Sequence, residues 1–365
     1  MAVHNLNYGL RRAFSVQQIL PLPLAASQPR HRNRKRYAPL AGPGYGFSRS
    51  NNVARNSVKN RDNFLSESTH SGLIIKAQSG FFTVETGLGF VVCQLRGKLK
   101  RGRATGDIAA IGDRVRITVS ADGSGAIEEV EERKQAIVRL DPRPQGEYQQ
   151  VLLANADQAV FVFACAHPNP KLRMLDRFLV IAEKQRVPAV IVANKIDLVD
   201  NAKEIFGLYE PLGYRVIYTS TKTGAGVDEL HDTLKNNISA LAGPSGVGKS
   251  SLLNVIQPGL GLAVNEISKV MDKGKHTTVT RQMFPVVGGG YVADTPGWKS
   301  LALWDTEPEE MEAYFPELRE LVQNCQFSDC SHTHEPNCAV LAAVKDGRVH
   351  PERFESFLRL RAGQE

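Results

Sequence analysis

Nowhere in the 365 residues is there an apolar run of about eighteen, the length a membrane-crossing helix needs, so a transmembrane helix is excluded. Cysteine is scarce. Five residues, an odd number, cannot form a disulfide scaffold, which argues against secretion and for a reducing compartment. The stretch Phe14–Ala26 has some signal-peptide character, but Gln17, Gln18, Pro21 and Pro23 interrupt its apolar core, which again argues against export. Acid is missing altogether from the first 61 residues, which carry eleven Lys and Arg: Arg11, Arg12, Arg30, Arg32, Arg34, Lys35, Arg36, Arg49, Arg55, Lys59 and Arg61.

That absence relocates the charge. The whole chain has 45 basic and 38 acidic residues, net +7, yet beyond residue 61 only 34 basic residues face all 38 acidic ones, net −4. The basicity belongs to a tail on a mildly acidic body. Residues 1–69, rich in Arg, Asn, Ser, Pro and Gly with no sustained period, are expected to be disordered. An acid-free basic tail favours polyanions by neutralising phosphates and releasing counterions. Its composition also resembles an organellar transit peptide, which keeps a chloroplast or mitochondrial destination open. The Pro43-Gly44 and Asn51-Asn52 stretches show no amphipathic helix, so the expected location is the cytoplasm.

With 42% apolar and 23% charged residues the body can bury ordinary cores, and its length allows two or three domains. Residues 70–138 read as short β-runs between glycines: Leu73–Ile75, Phe81–Val84, Phe90–Cys93, Val115–Val119 and Ala126-Ile127. Five strands over so short a stretch suit an OB-type β-barrel. Arg96, Lys98, Lys100, Arg101 and Arg103 form a basic run suited to nucleic acid. Residues 139–303 alternate buried strands and helices. Ala159–Cys165 and Ala189–Val192 are nearly continuous apolar runs, as strands buried on both faces must be. Met174–Glu183 has helical spacing; Val216–Tyr218, Val227–Leu234 and Ser239–Ala242 continue the alternation toward a doubly wound α/β domain.

Gly243-Pro244-Ser245-Gly246-Val247-Gly248-Lys249-Ser250, followed by Ser251, fits the phosphate-binding loop G-x-x-x-x-G-K-[ST]. Its glycines let backbone N–H groups surround a phosphate, and the helix starting near Lys249 adds partial positive charge. Lys249 suits the β- and γ-phosphates and the Ser250 hydroxyl suits Mg²⁺. Asn194-Lys195-Ile196-Asp197 looks like the guanine-reading motif of GTPases. The Asp197 carboxylate can accept from the guanine N1–H and exocyclic amine, whereas adenine offers neither donor there, so ATP is disfavoured. Ser220-Thr221-Lys222 resembles the companion guanine loop. Asp294-Thr295-Pro296-Gly297 fits the D-x-x-G switch, with Asp294 toward Mg²⁺ and the Gly297 N–H toward the γ-phosphate. In Lys275-His276-Thr277-Thr278 a threonine must close on Mg²⁺, with Thr278 favoured over Thr277.

The order of these parts is unusual. The guanine-reading pieces precede the phosphate loop and the switch comes last, so the chain reads as a circularly permuted GTPase. Beyond it, in residues 304–365, Cys325, Cys330, His332 and Cys338 fall within fourteen residues. Three thiolates and an imidazole make a closed structural Zn²⁺ set, with His332 preferred over His334. Cys93 and Cys165, in apolar strands, read as core packing.

Barrel, permuted GTPase and Cys₃His segment, in this order over about residues 70–365, resemble the ribosome small-subunit-dependent GTPase family of bacteria and organelles, the RsgA type. The resemblance implies a GTP-hydrolysing factor in late maturation of the small ribosomal subunit, touching rRNA through the barrel and a mainly helical zinc domain. It also implies that His276 serves hydrolysis, because Trp298 follows Gly297 where Ras-like enzymes have the water-positioning Gln. Lys249 and Thr278 complete the expected catalytic set, GTP and GDP are the expected nucleotides, and a monomer with no membrane partner is the expected state.

Overall fold

The computed structural model describes residues 69–100, 106–140, 148–258, 281–294, 298 and 306–364. Five strands open the described chain: β1 (Thr69–Gln78), β2 (Phe81–Thr86), β3 (Gly89–Leu95), β4 (Arg114–Val119) and β5 (Gly125–Val130). They pair in the order β1-β2-β3-β5-β4, and β4 returns to β1, so the sheet closes on itself as a barrel. β3 and β5 run parallel while the other pairs are antiparallel. Period-2 alternation fills the interior with Ile74, Phe82, Val84, Val91, Cys93, Val115, Ile117 and Ile127, all buried. The OB-like barrel expected from the spacing is present. Each strand runs beyond the apolar run that announced it, because outward-facing positions are free to be polar.

A hairpin of β6 (Ala136–Leu140) and β7 (Gln149–Ala154) follows, which no alternation in the sequence announced. Residues 138 and 139, where the sequence reading divides barrel from α/β segment, both lie in β6. The α/β segment comprises β8 (Gln158–Ala164), α1 (Leu172–Lys184), β9 (Ala189–Asn194), α2 (Ala202–Phe206), β10 (Arg215–Thr219), α3 (Val227–Leu234), β11 (Ile238–Ala242), α4 (Lys249–Ile256), β12 (Arg281–Pro285) and β13 (Tyr291–Asp294). Its strands order as β10-β9-β8-β11-β13-β12, parallel except for β12. Along β8 alternate residues go to opposite layers: Phe161 and Phe163 pack with Leu175 and Phe178 of α1, Val160 and Val162 with Leu230 of α3 and Leu252 of α4. Both faces are covered, which is why the run is apolar throughout.

Barrel and α/β sheet are continuous. Lys76 and Ala77 of β1 pair with Gln282 and Arg281 of β12, joining eleven strands into one sheet. The Tyr291 hydroxyl donates to Glu85 of β2, and Arg281 donates to the Val151 carbonyl at 2.8 Å.

The C-terminal segment holds the short α5 (Pro316–Arg319), α6 (Ala339–Lys345) and α7 (Pro351–Arg361). Its small core of Met311, Phe315, Leu318, Val340 and Phe357 also takes in Val180 of α1. α7 starts on Pro351, with the His350 side chain accepting the Glu352 N–H at 3.3 Å. Its buried stripe is Arg353, Ser356, Phe357 and Leu360, so two polar residues face inward. Arg353, 1% exposed, donates at 2.7 Å to Asp176 of α1 and at 2.7 Å to Glu317. Ser356 donates to the other Asp176 oxygen and the Tyr209 hydroxyl to the first, at 2.7 Å. Burial opposes the charge on Arg353, but the Asp176 and Glu317 carboxylates outweigh it and raise its pKa further. Among the described residues no helix is long and apolar enough to cross a membrane.

Candidate functional site

The C-terminal ends of β8, β9, β10 and β11 lie side by side, and the sequence motifs hang from them. This is where an open parallel sheet offers a crevice. β11 ends at Ala242 and α4 begins at Lys249, so Gly243–Gly248 form the connecting loop. Gly248 sits at φ +96°, and a Cβ there would lie 2.5 Å from the Asn194 amide nitrogen. At Gly243 a Cβ would lie 2.1 Å from the Val162 carbonyl oxygen. Only glycine allows the loop to approach its neighbours this closely. Lys249 turns back over the loop, donating to the Gly243 and Pro244 carbonyls at 2.9 Å each. Ser245 and Gly246 are exposed while Ser250 is buried on α4 beside Ser251, so the cradle opens outward above a fixed floor.

The guanine-type motif is tied to this loop. Asn194, at the end of β9, donates to the Val247 carbonyl at 2.8 Å and accepts from Thr219 at 3.0 Å. Lys195, at φ +62°, donates to the Gly246 carbonyl at 2.8 Å and to the His167 carbonyl. The buried Ser220 hydroxyl donates to Asp197 at 2.6 Å and accepts the Lys222 N–H at 3.2 Å. One Asp197 oxygen is thereby fixed, and the carboxylate is oriented beside the loop containing Thr221. Asp294 ends β13, whose Ala293 and Asp294 lie beside Ala240 and Leu241 of β11, the strand that leads into the phosphate loop.

Lys275, His276, Thr277, Thr278 and Gly297 lie outside the described residues. Trp298 is described and is wholly buried, edge-on to Phe161 at 5.0 Å and to Phe178 at 6.3 Å. The residue at the Gln position of Ras-like enzymes is thus a core side chain between β8 and α1.

In the C-terminal segment the Cys325, Cys330 and Cys338 sulfurs and a His332 ring nitrogen all lie within 4.8 Å of one another. His332 Nδ1 is 3.3 Å from the Cys338 sulfur and 3.6 Å from that of Cys325. Its Nε2 faces the Glu312 carboxylate at 3.1 Å, the arrangement that orients a metal-binding imidazole. His334, the competing ligand in the sequence, is exposed and contacts Thr333. Burial pushes the Cys330 thiol up to about 12, and a bound cation would act in the opposite direction, favouring the thiolate. The donor set and its spacing fit a tetrahedral metal. Cys93 and Cys165 are buried in the core and pushed up to about 11 by that burial, which leaves them unreactive.

Comparison with known proteins agrees with this architecture. The family model for the RsgA GTPase matches residues 130–304, and that for the RsgA N-terminal domain matches residues 71–127. The small ribosomal subunit biogenesis GTPase RsgA of Gemmatimonas aurantiaca is 42% identical over 297 residues, 80% of this chain and 96% of its own length. The protein of that name from Thermotoga petrophila is 41% identical, over 79% and 95%. The chain belongs to the RsgA GTPase family. Among solved structures, YjeQ from Thermotoga maritima matches with a TM-score of 0.67 at 37% identity, covering 81% of this chain and 99% of that one. YloQ, described as a circularly permuted GTPase, matches at 0.63 and 30%, covering 83% and 97%. The RsgA family resemblance drawn from motif order is therefore correct, and the chain is a GTPase with a permuted α/β domain.

Sequence reasoning missed the residues that join these parts. β12 and Arg281 had no periodic signal, and Arg353 and Ser356 were hidden in a charged helix. The available signal was the period of α7, since positions 353, 356, 357 and 360 form a stripe only if two polar residues are counted in it.

Proposed function

We propose that this GTPase converts GTP to GDP during late maturation of the small ribosomal subunit, in the cytoplasm, as a monomer. One observation carries the nucleotide reading. The phosphate loop and the Asn194–Asp197 motif, far apart in sequence, are hydrogen-bonded to each other at the crevice end of the sheet. Asn194, Lys195 and Asp197 hold guanine with Ser220, Thr221 and Lys222. Residues Gly243–Ser251 hold the phosphates, Lys249 neutralises the β- and γ-phosphates, and Ser250, Asp294 and Thr278 serve Mg²⁺. Gly297 contacts the γ-phosphate. His276 replaces the missing Gln in orienting water, since Trp298 is committed to the core. Cys325, Cys330, His332 and Cys338 hold one structural Zn²⁺. The division is tail 1–69, barrel 70–138, GTPase 139–303 and zinc-binding segment 304–365, with barrel and zinc segment touching rRNA.

The relatives' names supply the partner, and the acid-free tail and basic run Arg96–Arg103 supply charge suited to it. GTP turnover by the full chain, measured with and without isolated small ribosomal subunits, tests the reading. Turnover should be slow alone and rise by roughly 10³-fold or more on subunit addition, as when a partner completes a Ras-type site. Equal rates would leave a nucleotide-binding module whose hydrolysis does not respond to the ribosome.

A further inference from the structure

Cys330-Ser331-His332-Thr333-His334 offers two imidazoles two residues apart. In an extended chain such residues point to the same side, so either ring could turn toward the sulfurs. The backbone settles the choice. His332 sits at φ +58°, in the left-handed region that a residue with a Cβ occupies only where its surroundings hold it. The two rings part at this turn. His332 is buried with its Nδ1 3.3 Å from the Cys338 sulfur, whereas His334 is exposed with its Nδ1 2.7 Å from Thr333 Oγ1.

One carboxylate holds the turn. Glu335 Oε1 accepts the Ser331 N–H at 2.8 Å and the Ser331 hydroxyl as well. Its Oε2 accepts the Thr333 N–H at 3.0 Å and the His334 N–H at 3.2 Å. Three backbone donors from both sides of His332 therefore converge on a single side chain, as a chain with one left-handed residue does around an anion. An ionised carboxylate suits the task because it only accepts, and does so on both oxygens. Arg361 of α7 grips the turn from its other side, donating to the Ser331 carbonyl at 2.9 Å and the Cys330 carbonyl at 3.4 Å. Glu312 steadies the far ring nitrogen of His332. Arg361 and Glu312 act on the His332 side of the turn; of the three, Glu335 alone also holds the His334 backbone.

We propose that Glu335 is the positioning residue that decides which histidine completes the metal site. By gathering the N–H groups of Ser331, Thr333 and His334 it directs His332 to the three sulfurs and keeps His334 outside. This deepens the zinc reading above and rests on it for the metal.

Elemental analysis of the purified full chain, with zinc retention measured against a chromophoric chelator, tests it. The wild-type chain should hold about one zinc, and His334→Ala should change nothing. Glu335→Ala should weaken retention about 10–100-fold, the range for a lost partner behind a metal ligand. Glu335→Gln should recover part of that loss, because its amide oxygen still accepts on one side of the turn. The deciding arm is a gain. With Glu335 in place, His332→Ala should lose zinc, since His334 is held away. Adding Glu335→Ala to His332→Ala should improve retention about tenfold, because the freed turn lets His334 reach the sulfurs. Adding His334→Ala as a third change should abolish that gain. A carboxylate that merely stiffened the segment would leave every variant worse. If the double variant retained zinc no better than His332→Ala alone, Glu335 would not be choosing the ligand and the proposal would be overturned. Zinc bound by the wild-type chain and indifferent to Glu335 would overturn the proposal alone. A wild-type chain that holds no zinc would overturn the metal reading and the proposal with it.

Discussion

The hydrogen bonds that shape the nucleotide end reach far along the chain: Asn194 to Val247 spans 53 residues and Ser220 to Asp197 spans 23. The Cys₃His cluster draws all four groups from fourteen residues, in a segment with few regular elements of its own. The first site is a by-product of the sheet. Once β8, β9, β10 and β11 pair, their ends come together whatever is bound, and side chains and carbonyls satisfy one another across the gap. The second is closed locally, by three sulfurs and a ring nitrogen that lie within 4.8 Å of one another. The two sites should therefore fail independently, one with its metal and the other with its sheet.

The largest effect should come from Cys330→Ser. Structural zinc in small segments contributes roughly 10–16 kcal/mol of apparent binding free energy that is also folding free energy. Elemental analysis should find about one metal per wild-type chain and none in the variant, and the C-terminal helices should be lost by circular dichroism. GDP affinity should remain close to wild type; a parallel loss would show that the two sites are one cooperative unit.

Next in size is Asp197→Asn. A site built to accept hydrogen bonds discriminates by on the order of 10⁴-fold when its partner is mismatched. GTP affinity should fall steeply in nucleotide titrations and xanthosine triphosphate should gain, since its C2 oxygen needs a donor. Metal content should not change. Unaltered GTP affinity would remove Asp197 from the guanine contact.

The smallest of the three sharpens the comparison at its seam. Arg353 of α7 and Asp176 of α1 form the buried pair through which the Cys₃His segment meets the α/β domain, both at 2% exposure or less. Arg353→Met leaves the Asp176 and Glu317 carboxylates without their shared cation and should cost about 3–5 kcal/mol in urea unfolding of the metal-loaded chain. Adding Asp176→Leu should recover part of that loss, since Glu317, Tyr209 and Ser356 still lack their partners. Full additivity of the two changes would mean that the pair does not hold the seam.

Much of this was readable beforehand, for identifiable reasons. Strands buried on both faces must be apolar throughout, which exposed β8 and β9. The phosphate loop needs glycine where a Cβ would collide, as at Gly248 against Asn194, so its pattern is nearly forced. Motif order revealed the permutation, because order is a property of the chain itself. Metal-type spacing put Cys325, Cys330, His332 and Cys338 together, while the choice between His332 and His334 needed three dimensions: one ring is buried among the sulfurs with Glu312 behind it, the other faces outward.

What the amino-acid sequence determined by itself is the set of parts: a five-strand barrel, a permuted nucleotide-binding sheet and a Cys₃His segment, each encoded by local periodicity or fixed spacing. What only the tertiary structure decided is how the parts are joined. β1 meets β12 through backbone hydrogen bonds that carry no side-chain signature, and α7 meets α1 through an arginine that in sequence looks like any surface cation. Trp298 becomes core rather than catalyst for the same reason. Burial is a property of the packed neighbours, and those neighbours lie far away in the chain.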